Sequence, residues 1–207
     1  MSGIQAYHRG MNASLIEKVA QLGYIKPTDL TLDLTYGRGA WWKTWRPDPG
    51  QLITNDMSLA TYAQWHVDFR SRPEEWMGLF DVVAYDPPYL LTGSRGTMPG
   101  RDAEVESRYG LERGYEPADD SKTLILQGFL AAVDYLRPGG TLLYKTQDQV
   151  SSGKVHWLTM EAWMWGCGAN LTLADRFDMA PARPQPANRR QIHARRGSTL
   201  MVFKKGK

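Results

Sequence analysis

Residues 80–89 read Phe-Asp-Val-Val-Ala-Tyr-Asp-Pro-Pro-Tyr, a short apolar run that stops abruptly at Asp86, Pro87, Pro88 and Tyr89. A run of this length, rich in Val and aromatic residues and closed by prolines, is predicted to be a buried strand, because proline cannot continue the ladder. In an open parallel sheet the tetrapeptide would then fall at the carboxyl end of its strand, where such sheets bind ligands. Its composition suits that place. Two consecutive prolines hold the backbone extended and remove two N–H donors, leaving carbonyls as unopposed acceptors. Asp86 adds a carboxylate and Tyr89 a ring face, so the segment offers acceptors for the hydrogens of an aromatic amine and a surface for stacking. These four residues are the candidate catalytic group. A rigid turn carrying a surface tyrosine is the alternative, and the preceding strand argues against it.

Working outward, further strands are predicted at Thr31–Thr35, Gln51–Thr54, Thr141–Lys145, Leu171–Phe177 and Thr199–Phe203, with a weaker one at Trp65–Phe69. Helices are predicted between them. Asn12 to Gly23 has a polar start, apolar residues at helical spacing and a terminal glycine; Lys122 to Leu136 ends at Arg137-Pro-Gly-Gly, and His156 to Trp165 is a further, largely apolar helix candidate. Strands alternating with helices imply a mostly parallel sheet with helices on both faces. Two long segments, Leu90–Ser121 and Ala180–Ser198, resist assignment and read as long loops. One domain spanning residues 1–207 is expected from the length.

The stretch Asp33-Leu-Thr-Tyr-Gly-Arg-Gly39 runs from a predicted strand into a glycine turn, which lets backbone approach a ligand where side chains would block it. A tight strand-to-helix connection would look the same. Asp56 follows at the end of the next predicted strand, where a carboxylate can accept hydrogen bonds from both hydroxyls of a ribose; a cap through Asp56-Met-Ser is the other reading. Trp41, Trp42 and Trp45, just past Gly39, have the spacing of core packing or cofactor-side packing more than of a stacking platform. The four histidines and scattered acids show no metal-ligand spacing, and no metal is expected.

With Asp33–Gly39 preceding Asp86-Pro-Pro-Tyr89, the chain resembles the S-adenosyl-L-methionine-dependent amino-methyltransferases, the family of DNA adenine-N6 and cytosine-N4 methyltransferases. The resemblance extends from about His8 to Phe203. It implies an α/β, Rossmann-like class I methyltransferase fold, with a seven-stranded, mostly parallel sheet whose last strand is antiparallel. Leu171–Phe177 and Thr199–Phe203 would form the final reversed hairpin. It also implies that Asp33, Thr35, Gly37 and Gly39 bind the amino-acid part of S-adenosyl-L-methionine, Asp56 its ribose and Asp68 its adenine. Two departures stand out: Leu34-Thr-Tyr36 replaces the family's usual phenylalanine, and no separate target-recognition domain is visible.

Charge adds a partner. The formal net charge is +3, yet residues 181–207 hold eight Lys or Arg and no acid, which leaves 17 − 22 = −5 for the first 180 residues. A polyanion can dock at such an end, although a solvated basic tail looks alike. The candidate nucleic-acid contacts are Arg95, Arg101, Arg108 and Tyr109 in the loop after the tetrapeptide, Lys145 at the end of its strand, and Arg189, Arg190, Arg195 and Arg196 in the last loop. DNA is the expected partner, with a homodimer or a separate specificity subunit as a further expectation. The alternatives are an RNA adenine-N6 methyltransferase, a DNA cytosine-N4 methyltransferase, and a catalytically silent nucleic-acid-binding protein of the same fold. No apolar run of about 18 residues occurs, and the first ten residues lack the apolar stretch of a signal peptide. A soluble, cytoplasmic protein is therefore expected. The single cysteine, Cys167, reads as a small buried residue.

Overall fold

A computed structural model describes residues 4–88, 121–151, 154–180 and 197–207. Its centre is the predicted apolar strand, β4 (Phe80–Tyr85), which is buried at five of its six positions. The other strands are β1 (Tyr7–Arg9), β2 (Thr31–Asp33), β3 (Leu52–Thr54), β5 (Leu136–Thr146), β8 (Leu171–Ala180) and β9 (Ser198–Lys205). They assemble into one seven-stranded sheet in the order β1-β8-β9-β5-β4-β2-β3. Strands β3, β2, β4 and β5 pair in parallel, β9 runs antiparallel to both β5 and β8, and β1 is parallel to β8. The reversed terminal hairpin expected from the sequence is therefore present, longer than expected at both ends. A separate two-stranded sheet joins β6 (Gln149–Ser151) to β7 (Lys154–His156).

Side chains alternate across a strand, so β4 feeds two cores. Val82 and Ala84 meet Leu143, Leu200 and Val202 on one face, covered by Leu15, Ile16 and Val19 of α1 (Asn12–Gln21) and by Trp41 and Trp42. Val83 and Tyr85 meet Leu142, Tyr144, Met201 and Phe203 on the other, covered by Ile125 and Phe129 of α2 (Ser121–Tyr135) and Ala162 of α3 (Leu158–Gly168). Two apolar layers on one parallel sheet are what continuous apolar strands require. Helix α2 contains a glycine for a packing reason. A Cβ on Gly128 would stand 2.0 Å from the Tyr85 hydroxyl, which donates to the Ile125 carbonyl at 3.3 Å.

Four expectations change. The segment Trp65–Phe69 is not a strand; it makes a single parallel bridge, Asn55 to Trp65, and continues into a 3-10 turn at Phe69–Ser71. Side chains occupy the edge instead: Gln64 accepts from the Thr54 amide at 2.9 Å, and Asn55 bonds both the N–H and the carbonyl of Val67. The seventh strand is β1, at the far edge, where Tyr7 and Arg9 are exposed and His8 is buried. Arg137-Pro-Gly-Gly ends the helix as expected but also makes a bulge inside β5, where the register with β4 shifts between Phe80 and Val82 and Gly139 takes φ +77°. Cys167 is exposed rather than buried, because α3 buries Leu158, Thr159, Ala162 and Gly166 and turns Cys167 outward. No helix among the described residues is long and apolar enough to cross a membrane.

Candidate active site at the carboxyl edge of the sheet

Strands β2, β3, β4 and β5 end at one edge, and the chemistry-bearing residues follow each of them. After β2 the chain turns through Gly37 and Gly39, both left-handed at φ +56° and +65°. Glycine is required most at Gly39, where a Cβ would lie 2.6 Å from the Tyr36 hydroxyl as well as being strained. This turn is tied to the end of β3: the Gly37 amide donates to Asp56 Oδ2 at 2.6 Å, and the other oxygen of Asp56 accepts from the Ser58 amide at 2.9 Å. Asp56 thus makes the expected cap with Ser58 and a second tie to Gly37, and both backbone contacts leave further lone pairs on the carboxylate. Burial raises the Asp56 carboxyl above its ordinary value, against the pull of the Ser58 and Gly37 amides.

Asp33, the last residue of β2, is 4 % exposed. Its Oδ2 accepts from the Trp42 indole at 2.6 Å and its Oδ1 from the Thr35 amide at 3.1 Å. Burial pushes its carboxyl up to about 7; the two donors act in the opposite direction, and the nearby carboxylates of Asp86 and Asp56 add to the rise. The three acids therefore share one electrostatic environment.

Asp86 follows β4 directly. Its amide donates to Thr35 Oγ1 at 2.8 Å, which joins the tetrapeptide to the glycine turn. Its Oδ2 accepts from the Trp41 indole at 3.1 Å and from the Lys145 ammonium at 3.2 Å. Pro87 is buried and Pro88 half-buried. Lys145 comes from β5, where Tyr144 pairs with Tyr85 and so sets Lys145 beside Asp86. Its side chain is 10 % exposed, and its ammonium is turned onto the acid.

Of the expected residues, Asp33, Thr35, Gly37, Gly39, Asp56, Asp86, Pro87 and Lys145 are thus brought to one edge. Asp68 caps the 3-10 turn at Phe69–Ser71 and holds Arg70, whose guanidinium reaches Asp68 Oδ2 at 2.8 Å. Tyr89, Arg95, Arg101, Arg108, Tyr109, Arg189, Arg190, Arg195 and Arg196 lie outside the described residues. Trp41 and Trp42 pack as their spacing predicts, with both rings buried, and their indoles also hold Asp86 and Asp33, which the spacing does not reveal. Two adjacent indoles just past a glycine turn are the signal that could have pointed there. Among the described residues no group of three or more His, Cys, Asp or Glu is placed to hold a metal ion.

No protein-family model matches the chain, and no curated protein is significantly similar to it. Solved structures are similar in fold. NSun6 from Pyrococcus horikoshii, with SFG, aligns at TM-score 0.56 and 15% identity over 96% of this chain and 53% of that one, so the chain spans about half its length. A Bacillus halodurans protein with a provisional methyltransferase assignment aligns at TM-score 0.54 and 10% identity, over 94% of this chain and all of that one. The N-methyltransferase NodS from Bradyrhizobium japonicum, in complex with S-adenosyl-L-homocysteine, aligns at TM-score 0.51 and 13% identity over 93% and 88%. With the strand order and the reversed β9, these likenesses give the chain the class I methyltransferase fold.

Proposed function

We propose that the chain is an S-adenosyl-L-methionine-dependent methyltransferase that acts on an exocyclic amino group of a nucleic-acid base, with adenine N6 in DNA as the substrate. The observation that carries this reading is the tie between Asp86 and the glycine turn through Thr35, which sets an acceptor-rich tetrapeptide against that turn. The residues fit the cofactor. Asp33 offers a buried carboxylate to a cationic amino group, Asp56 offers lone pairs to a ribose diol, and the left-handed glycines let backbone approach. The bound cofactor supplies an electrophilic methyl group.

What the chain must add is a nucleophile. The amine of adenine donates its lone pair into the ring, so it attacks poorly until its hydrogens are held by acceptors that favour a tetrahedral nitrogen. Asp86 is the charged acceptor, and the donor-free Pro87-Pro88 backbone supplies carbonyls. Asp86 also receives the proton that nitrogen sheds. A base in a duplex must first leave its stack, at a cost of a few kcal/mol that stacking on Tyr89 offsets in part. Asp rather than Ser before Pro-Pro favours adenine by family resemblance, and the basic residues 181–207 favour a polyanion.

Calorimetric titration with S-adenosyl-L-homocysteine, on the wild type and on Asp86→Ala, tests the assignment of roles. Cofactor binding should survive in the variant while methyl transfer to DNA is lost. Retained transfer in a folded Asp86→Ala protein overturns the role of Asp86, and absence of binding in the wild type overturns the cofactor.

A further inference from the structure

Lysine is among the residues least often buried in proteins, because removing an ammonium from water is costly unless a partner compensates. Lys145 is 8 % exposed, and it lies near the carboxyl end of β5 at the edge of the sheet that carries Asp86. Its ammonium sits 3.2 Å from Asp86 Oδ2. Such pairs are weak sources of stability, so stability alone does not account for this one.

The surroundings supply one. By strand alternation Lys145 lies on the same sheet face as Leu143, the face that Trp41 and Trp42 cover, and Trp41 donates to the same oxygen of Asp86 from the opposite element at 3.1 Å. Thr35 holds the backbone of Asp86 from a third element. Asp86 is therefore held from two sides: by Lys145 on the neighbouring strand, and by one continuous stretch in which Thr35 of the glycine turn takes its amide and Trp41 of the following 3-10 turn its carboxylate. Lysine suits the place because a compact charge with three donors can grip one oxygen, whereas the flat fork of arginine would engage both.

We propose that Lys145, acting with Trp41, is a positioning residue that sets the Asp86 carboxylate for the target amine and is not a contact to the nucleic-acid backbone; the proposal rests on the reading of this edge as an amino-methylation site. An acceptor must meet the amine within a few tenths of an ångström and in the right direction, and misplacement by about 1 Å can cost on the order of a hundredfold in rate.

Two measurements test this, and the first needs no substrate. In protein with ¹⁵N-labelled tryptophan, the indole N–H of Trp41, assigned with Trp41→Phe, reports the orientation of Asp86, while that of Trp42, bonded to Asp33, reports the intact fold. Lys145→Met should shift or broaden the Trp41 signal and leave that of Trp42 in place, and Lys145→Arg should restore it in part. An unmoved Trp41 signal in Lys145→Met overturns the positioning role, whatever the protein methylates. The second measurement is the rate of transfer from labelled S-adenosyl-L-methionine to unmethylated genomic DNA. Lys145→Met should lower kcat by roughly 10- to 100-fold with little change in the KM for DNA or in its salt dependence. A raised KM for DNA with a weaker salt slope and unchanged kcat would instead mark Lys145 as a phosphate contact and overturn the proposal.

Discussion

Replacing Gly128 by alanine should destabilise the protein, even though alanine is the better helix former by about 1 kcal/mol. The added Cβ would lie 2.0 Å from the Tyr85 hydroxyl oxygen, 2.4 Å from its Cζ and 2.9 Å from the ring of Phe69. Those rings cannot swing aside freely. Tyr85 is fully buried, stacked on Tyr144 at a centroid distance of 5.8 Å and edge-on to Phe69 at 5.8 Å. Overpacking of this kind costs about 1–3 kcal/mol, and displacement of the Tyr85 hydroxyl from the Ile125 carbonyl adds about 1 kcal/mol. After the propensity gain the net loss is about 2 kcal/mol, which lowers Tm by roughly 4–8 °C for a chain of this size. Thermal unfolding followed by circular dichroism reads it. Adding Tyr85→Phe removes the nearest atom and should recover part of the loss. A Tm equal to or above that of the wild type would refute the reasoning, because it would mean that helix propensity outweighs the contact with the strand that carries Asp86.

Two further outcomes follow from the site. Asp33, held near 7 by burial, is partly protonated at neutral pH; a cation bound against it favours the charged form, lowers its pKa and expels a proton. Calorimetry of S-adenosyl-L-methionine binding in buffers of different ionisation heat should therefore show proton release on the order of half a proton near pH 7, falling away well above pH 8. Binding heats independent of the buffer at pH 7 would sink that assignment. Gly39→Ala forces a left-handed alanine and a clash with Tyr36, so affinity for S-adenosyl-L-homocysteine should fall on the order of tenfold or more while β4 and its cores stay intact. An unchanged affinity would show that the turn does not meet the cofactor.

The central part of this fold is legible because β4 is a contiguous apolar run ended by prolines, and both of its sheet faces are covered. The edges are not. Strand β1 is three residues long with only His8 buried, and it exists because β8 offers it a partner, which no local pattern announces. Residues 65–69 carry a strand-like pattern, but the side chains of Gln64 and Asn55 take the hydrogen bonds that a strand would have made. In the site, Asp33, Asp56 and Asp86 were readable as acids at strand ends. Their partners were not, because Trp41, Asp86 and Lys145 stand 45 and 59 positions apart and meet only through sheet register. Cys167 departs from the buried place expected of it because α3 carries apolar residues on its exposed side too, at Met160, Trp163 and Met164, so composition alone does not say which stripe faces the core.

The account is tested most directly by incubating the protein with S-adenosyl-L-methionine carrying a labelled methyl group and either unmethylated genomic DNA or total RNA, then digesting to nucleosides for mass spectrometry. It predicts labelled N6-methyladenine from the DNA, lost in Asp86→Ala. Label confined to RNA or to cytosine would contradict the choice of substrate, and no labelled base from either polymer, with cofactor bound, would contradict the assignment of this edge as an amino-methylation site.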